Sequence, residues 1–212
     1  MNDNLINNLV QDLAPVRSRR LSREAAWLLG LGLAELALYV ALGQPRPDLA
    51  QTMNGPSFWW KFASLTVLTL SGVGVALRSF DPARSARRGL RWMVGIVLGV
   101  LAAGWIIDGV DPVGGSILAR VDFAHGLECL TAMTVLSLPP LIALGLLMRR
   151  GAATDPRGSA LAVGAAGAAW GALIFAFHCP MDDPLYVAIW YSLGYMLVAS
   201  VSRVLLPRIT RW

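Results

Sequence analysis

Apolar residues run along this chain in six long stretches, approximately residues 25–43, 61–78, 90–107, 126–148, 160–177 and 185–206, separated by short charged segments. Each stretch is close to the ~20 mostly apolar residues that a helix needs to cross a bilayer. The pattern predicts an all-α, polytopic membrane protein with six transmembrane helices. The first stretch carries Glu35 among Leu28, Leu29, Leu31, Leu33, Leu36, Leu38 and Leu42. Seven leucines at roughly −0.5 kcal/mol each offset one acidic residue costing about 2.5–3.5 kcal/mol at the bilayer centre. The span survives, and Glu35 is expected to face the bundle interior. Pro139-Pro140 should kink the fourth helix about two thirds of the way through. Gly164, Ala165, Ala166, Gly167, Ala168 and Ala169 in the fifth allow close helix packing.

Ahead of the first stretch lies a different pattern. Leu5, Leu9 and Leu13 recur every four residues with Ile6 and Val10 beside them, and Pro15 ends the run. This predicts a short amphipathic helix with one apolar stripe. Such a segment is built to dock into a hydrophobic groove on a partner, or to lie on a membrane surface. Surface-lying helices favour Lys and Arg on the polar face, and none precedes Arg17. A protein partner is therefore the preferred reading. The chain divides into a cytoplasmic docking segment, 1–24, and a six-helix domain, 25–212. The polar start has no cleavage-site pattern and is expected to be retained.

Charge sets the orientation. The segments on one side hold Arg17, Arg19, Arg20 and Arg23, then Arg78, Arg84, Arg87, Arg88 and Arg91. Arg149, Arg150 and Arg157, then Arg203, Arg208 and Arg211, complete that side. The other side has only Arg46, Lys61 and Arg120, so both termini are expected in the cytoplasm. Asp48, Asp108, Asp111, Asp122, Glu128, Asp182 and Asp183 lean toward the outer face. Composition agrees: 56% of residues are hydrophobic, 15% are charged and the mean hydropathy is +0.57. A soluble domain carries about 25% charged residues. The net charge of +5 sits in short inter-helix clusters, so no direct nucleic-acid partner is expected. Phe58-Trp59-Trp60 and Tyr186, Trp190 and Tyr191 at outer helix ends read as an aromatic belt, with Trp92 and Trp212 at the inner boundary.

The chain has two cysteines and two histidines, and all four fall on the outer side. His125 and Cys129 are four apart at the start of the fourth helix, with Glu128 between them, which places imidazole and thiol on one helical face. His178-Cys179 ends the fifth, followed by Asp182 and Asp183. His125, Cys129, His178 and Cys179, with Glu128 and Asp182 nearby, are candidate ligands for a Zn²⁺ or soft Cu(I) ion. A reversible Cys129–Cys179 disulfide is the competing chemistry in an oxidising compartment. The plain structural alternative is that the cysteines pack a loop junction as small hydrophobes. Two cysteines exclude a disulfide-rich scaffold, and neither pair fits CxxC or HExxH. No phosphate loop, Ser/His/Asp arrangement or catalytic carboxylate pair is present, so neither an enzyme nor a small-molecule substrate is expected.

End to end, the chain resembles the NrsF family of bacterial inner-membrane anti-sigma factors, negative regulators of an extracytoplasmic-function (ECF) sigma factor. The likeness runs through Leu5-Ile6, Leu13-Ala14-Pro15-Val16, Phe58-Trp59-Trp60-Lys61, His125-Gly126-Leu127-Glu128-Cys129 and Leu136-Ser137-Leu138-Pro139-Pro140. It closes with Phe177 to Tyr186, the most specific stretch, and with Arg211-Trp212. The resemblance implies a six-helix inner-membrane protein that holds a sigma factor through its cytoplasmic N-terminus. It also implies that Cys129 and Cys179 sense a stress signal associated with heavy metals or oxidants. Leu5, Ile6, Leu9, Val10 and Leu13 are the expected sigma-binding residues. Two rivals use the same outer cluster. A membrane thiol oxidoreductase would carry paired reactive cysteines and a quinone site. A metal transporter would place ligands along a midplane path, where only Glu35 is clearly deep.

Overall fold

The structure, a computed structural model, describes residues 20–43, 46, 48–110 and 114–210; the Leu5–Leu13 stripe lies outside the described residues. Those residues form helices and loops with no strand among them: α1 (Leu21–Leu42), α2 (Leu49–Thr52), α3 (Pro56–Ser79), α4 (Ala86–Val110), α5 (Ile117–Val121), α6 (Phe123–Leu136), α7 (Leu138–Arg150), α8 (Pro156–Phe175) and α9 (Pro184–Ile209). Helices α1, α3, α4, α8, α9 and the α5–α7 series are each long and apolar enough to cross a membrane. All six apolar stretches are therefore helical. The small α2 and α5, absent from the expectation, cap the outer connections.

Helix α8 is the axis of the bundle. Its Gly/Ala composition leaves little side chain to hold neighbours away, and nearly every residue from Gly158 to Phe175 is buried. It packs against α3, α9, α6 and α7. A Cβ on Gly72 of α3 would stand 2.9 Å from the Cα of Ala166. One on Gly164 would stand 2.7 Å from the Cα of Ala199 in α9. The backbones touch because nothing lies between them. Helix α1, by contrast, buries only Leu28 and Gly32 and sits at the periphery.

The proline pair breaks the fourth span as expected. Pro139 and Pro140 have no N–H to donate, so the carbonyls one turn back lose their helical partners. Helix α6 ends at Leu136, and α7 restarts with prolines in its first turn, where a missing N–H costs nothing. At the junction the Ser137 hydroxyl donates to the Thr134 carbonyl at 2.7 Å. Gly171 of α8 fits against the break: a Cβ there would meet the Met133 carbonyl oxygen at 2.5 Å.

The aromatic-belt expectation is corrected for most of the outer aromatics. Phe58, Trp60, Tyr186, Trp190 and Tyr191 are buried inside the bundle, whereas Trp59 and Trp92 are exposed. Glycines make the room. The Trp60 indole lies over Gly104 of α4 and the Trp190 indole over Gly126 of α6. Their N–H groups donate to the carbonyls of Val100 (3.0 Å) and Val121 (2.7 Å). Two buried clusters result. The outer one contains Trp60, Cys129, Cys179, Tyr186, Trp190 and Tyr191, and the inner one contains Leu28, Ala76, Phe80, Leu144, Met148 and Val163.

Candidate functional site

The outer cluster brings the two cysteines together. Cys129 projects from α6 and Cys179 from the turn that follows α8, and their sulfurs lie 3.5 Å apart. Both are free thiols, only 2% and 1% exposed. The fully buried Tyr186 of α9 donates its hydroxyl to Cys129 Sγ at 3.3 Å. The pair thus sits where α6, α8 and α9 meet.

The loop carrying Cys179 is held by two buried cations. Lys61, 0% exposed, reaches from α3 and donates to the carbonyls of Cys179 (3.2 Å) and Met181 (2.9 Å) and to Asp182 Oδ1 (3.1 Å). An ammonium has three protons, so all are used. Arg46 donates to Asp48 twice (2.7 and 2.8 Å), to Asp182 Oδ2 (2.7 Å), and to the carbonyls of Cys179 (3.0 Å) and Pro180 (3.1 Å). Those five bonds match its five N–H donors. Three successive carbonyls, Cys179 to Met181, are captured, so the Cys179 backbone has little freedom. Next along the chain, Asp183 accepts from Arg120 Nε and Nη2 at 2.8 and 2.6 Å and from the Leu185 N–H at 2.9 Å. Arg120 also pairs with Asp108 at the end of α4.

These contacts shift the loop's ionisations. The hydrogen bond from the Cys129 thiol, helped by the Lys61 charge and opposed by burial, pulls the Cys179 thiol below the ordinary range. Hydrogen bonds from Arg46 bring Asp48 down to about 2. Burial works against the Asp183 carboxylate, yet the Arg120 bonds win and hold it below the usual range.

The six-residue ligand set does not converge. Asp122 takes a left-handed conformation (φ 36°), one that Asp tolerates, and caps α6. Its carboxylate lies 2.7 Å from His125 Nδ1, turning that imidazole to the exposed surface. Glu128 is also exposed. Asp182 is occupied by Lys61 and Arg46. The His178 ring is exposed, with centroids 6.2 Å from Tyr39 and 6.3 Å from Phe175. Among the described residues no three His, Cys, Asp or Glu side chains are grouped to hold a metal ion. Of the candidates, only Cys129 and Cys179 meet.

Sequence reasoning passed over Arg46, Lys61, Arg120 and Tyr186. The signal was available for the first three. They are the only basic residues on a side rich in carboxylates, so each had acidic partners at hand. Deeper in the bundle, Glu35 Oε2 accepts from Trp170 Nε1 at 3.0 Å, while its Oε1 is buried without a hydrogen-bond partner.

The chain is similar to known proteins over nearly its full length. A family model described as negative regulator of sigma F matches residues 9–212. The anti-sigma-F factor NrsF of Caulobacter vibrioides is 33% identical over 206 residues, covering 94% of each chain. The probable anti-sigma-F factor NrsF of Azospira oryzae is 27% identical over 215 residues, covering 99% of each. No solved structure matches. The match across nearly the full length, on a chain whose paired cysteines close one end of a six-helix bundle, places this protein in the NrsF family, negative regulators of sigma F.

Proposed function

We propose that this chain is a membrane-bound anti-sigma factor that holds an ECF sigma factor at its cytoplasmic N-terminus and releases it when the outer thiol pair changes state. Family membership supports the anti-sigma role. Six apolar helices and the concentration of arginine on one side support six passes through a bacterial inner membrane with both termini cytoplasmic. Residues 1–24 are the docking segment, with Leu5, Ile6, Leu9, Val10 and Leu13 as its apolar face, and residues 25–212 form the sensor domain.

The observation that carries the sensing half is the 3.5 Å approach of Cys129 and Cys179, fifty residues apart in sequence. Two signals fit it. Hydrogen peroxide oxidises the two thiols to a disulfide: the Sγ–Sγ bond forms, the O–O bond breaks, and the two thiol protons leave in the two waters formed. A thiophilic ion such as Zn²⁺ or Cu(I) instead binds both sulfurs and displaces their protons. Either event alters the contact between α6 and the Cys179 loop. Because that loop is tied to α3 and α9, a change there is passed to the packing of the bundle. A shift from 1:99 to 99:1 needs about 5.5 kcal/mol of differential affinity, within the range of metal–thiolate sites.

The decisive experiment is co-purification of sigma factor with the full chain and with a chain lacking residues 1–20. Retention by the first and loss by the second is expected; retention by neither would reject the anti-sigma reading. Leu9→Asp should abolish retention and leave membrane insertion intact. A Cys129→Ser, Cys179→Ser double variant should hold the sigma factor and fail to release it on peroxide or metal challenge. Full inducibility of a sigma-dependent reporter in that variant would remove the thiols from the mechanism. The thiol oxidoreductase and metal-transport readings predict quinone-linked thiol oxidation or ion flux by the purified chain, and these assays separate them.

A further inference from the structure

Between α1 and α7, at the arginine-rich end of the bundle, runs an open groove of about 1230 Å³. Its rim carries Arg20 and Arg23 at the start of α1 and Arg150 at the end of α7. Glu24 stands on the same rim. The three arginines are exposed, and none forms an ion pair among the described residues. Below the rim the walls are apolar, with Trp27 and Leu31 on one side and Ile142 and Leu146 on the other. The groove opens beside the place where α1, which buries only Leu28 and Gly32, rests on α7 through a narrow contact around Leu28.

We propose that this groove is a binding site for an anionic phospholipid, with the headgroup phosphate on Arg20, Arg23 and Arg150 and an acyl chain along Trp27, Ile142 and Leu146. The inference rests on the membrane reading given above and is independent of the anti-sigma role. Three observations select this ligand. The polar and apolar parts are segregated along one axis, as they are in an amphiphile. From Arg23 to Leu31 is eight residues, and from Arg150 back to Pro139 is eleven, so the apolar trough runs about 12–16 Å at 1.5 Å per residue. That is about half of a ~30 Å hydrocarbon core, the depth of one leaflet. Lastly, the volume exceeds the about 300–1,000 Å³ of ordinary small-molecule pockets, and the rim has three cations against one carboxylate. Basic pockets between helices on the cytoplasmic side are where anionic headgroups bind. A lipid there would fill the groove beside the start of α1.

The alternative occupant is that N-terminal segment itself. Its stripe is apolar, but Asn7, Asn8, Gln11 and Asp12 would have to follow it below the rim, and residues 1–19 bring no net charge to the arginines. The lipid matches both the trough and the rim.

The test is native mass spectrometry of the full chain, extracted from membranes and delipidated in detergent. Failure of the membrane reading would show at extraction, before any lipid is added. Phosphatidylglycerol, phosphatidylcholine and inorganic phosphate are then offered separately. One retained phosphatidylglycerol is expected, at least tenfold favoured over phosphatidylcholine, with no retention of phosphate alone. An Arg20→Gln, Arg23→Gln, Arg150→Gln variant should lose that preference. An Arg87→Gln, Arg88→Gln, Arg91→Gln variant, with the same charge change on exposed residues at the start of α4, should keep it. Ala143→Trp, which fills the trough, should also abolish retention, while a thermal melt verifies that each variant is folded. Equal retention of the two lipids, or equal loss in both arginine variants, would overturn the proposal. So would lipid uptake seen only after deletion of residues 1–19, which would make the segment the native occupant.

Discussion

Lys61 is inconspicuous in the sequence and decisive in the structure. In the sequence it is one of three basic residues on the carboxylate-rich side of the chain. The bundle buries it completely and saturates its three protons with two carbonyls and Asp182, with the Tyr191 ring centroid 5.5 Å away. Removing one partner of a buried ion pair leaves the other charge uncompensated and costs about 3–5 kcal/mol. Lys61→Met should therefore lower the thermal midpoint of the purified protein sharply. An unchanged melt would mean that the ammonium contributes nothing net. Tyr186 is the counterpart on the other thiol. Its aromatic ring argued for the membrane interface, and only the packing of α9 against α6 turns its hydroxyl onto Cys129.

Among the elements, α8 was the most legible, and the short α2 and α5 the least. A run of Gly and Ala has no large side chains to bury, so its burial follows from what it permits, the close approach of other helices. The glycines differ in what they carry. Gly171 faces backbone atoms of the α6–α7 break that cannot swing aside, whereas a Cβ on Gly74 meets nothing within 4 Å. Gly171→Ala should destabilise by about 1–3 kcal/mol through overpacking. Gly74→Ala should be neutral or stabilise by up to about 1 kcal/mol, since alanine is the better helix former. Thermal melts of the two variants side by side check this. The proline break itself was visible, because a missing N–H is a property of the residue. That α8 supplies a glycine at the same height was not, because it depends on how two distant helices are aligned.

For the molecule as a whole, the outer end is tied together by charge. Arg46, Lys61 and Arg120 link the α1–α2 connection, α3, α4 and α5 to the loop between α8 and α9. The carboxylates involved predict an acid limit. Asp48, at about 2, and Asp183, also lowered, ionise more readily folded than unfolded. Their stabilising effect is full above the unfolded value near pH 4 and is lost as pH falls through the folded values. A melt series between pH 6 and pH 2 should hold its midpoint down to about pH 4 and then fall. Asp183→Asn should flatten the acid limb, and a midpoint independent of pH would contradict the network.

The sequence specified the six long apolar helical stretches, because length and hydropathy are summed over local residues and need no knowledge of neighbours. It also determined which side is basic, where the fourth span breaks, and that every His and Cys lies at one end. The tertiary structure decided which of those end residues meet. Cys129 and Cys179 come together, while His125 turns outward to Asp122 and Asp182 is taken by two cations. That choice depends on helix rotation and on competition for a few carboxylates and carbonyls. Both arise from contacts between residues tens of positions apart, and spacing along one helix carries no record of them.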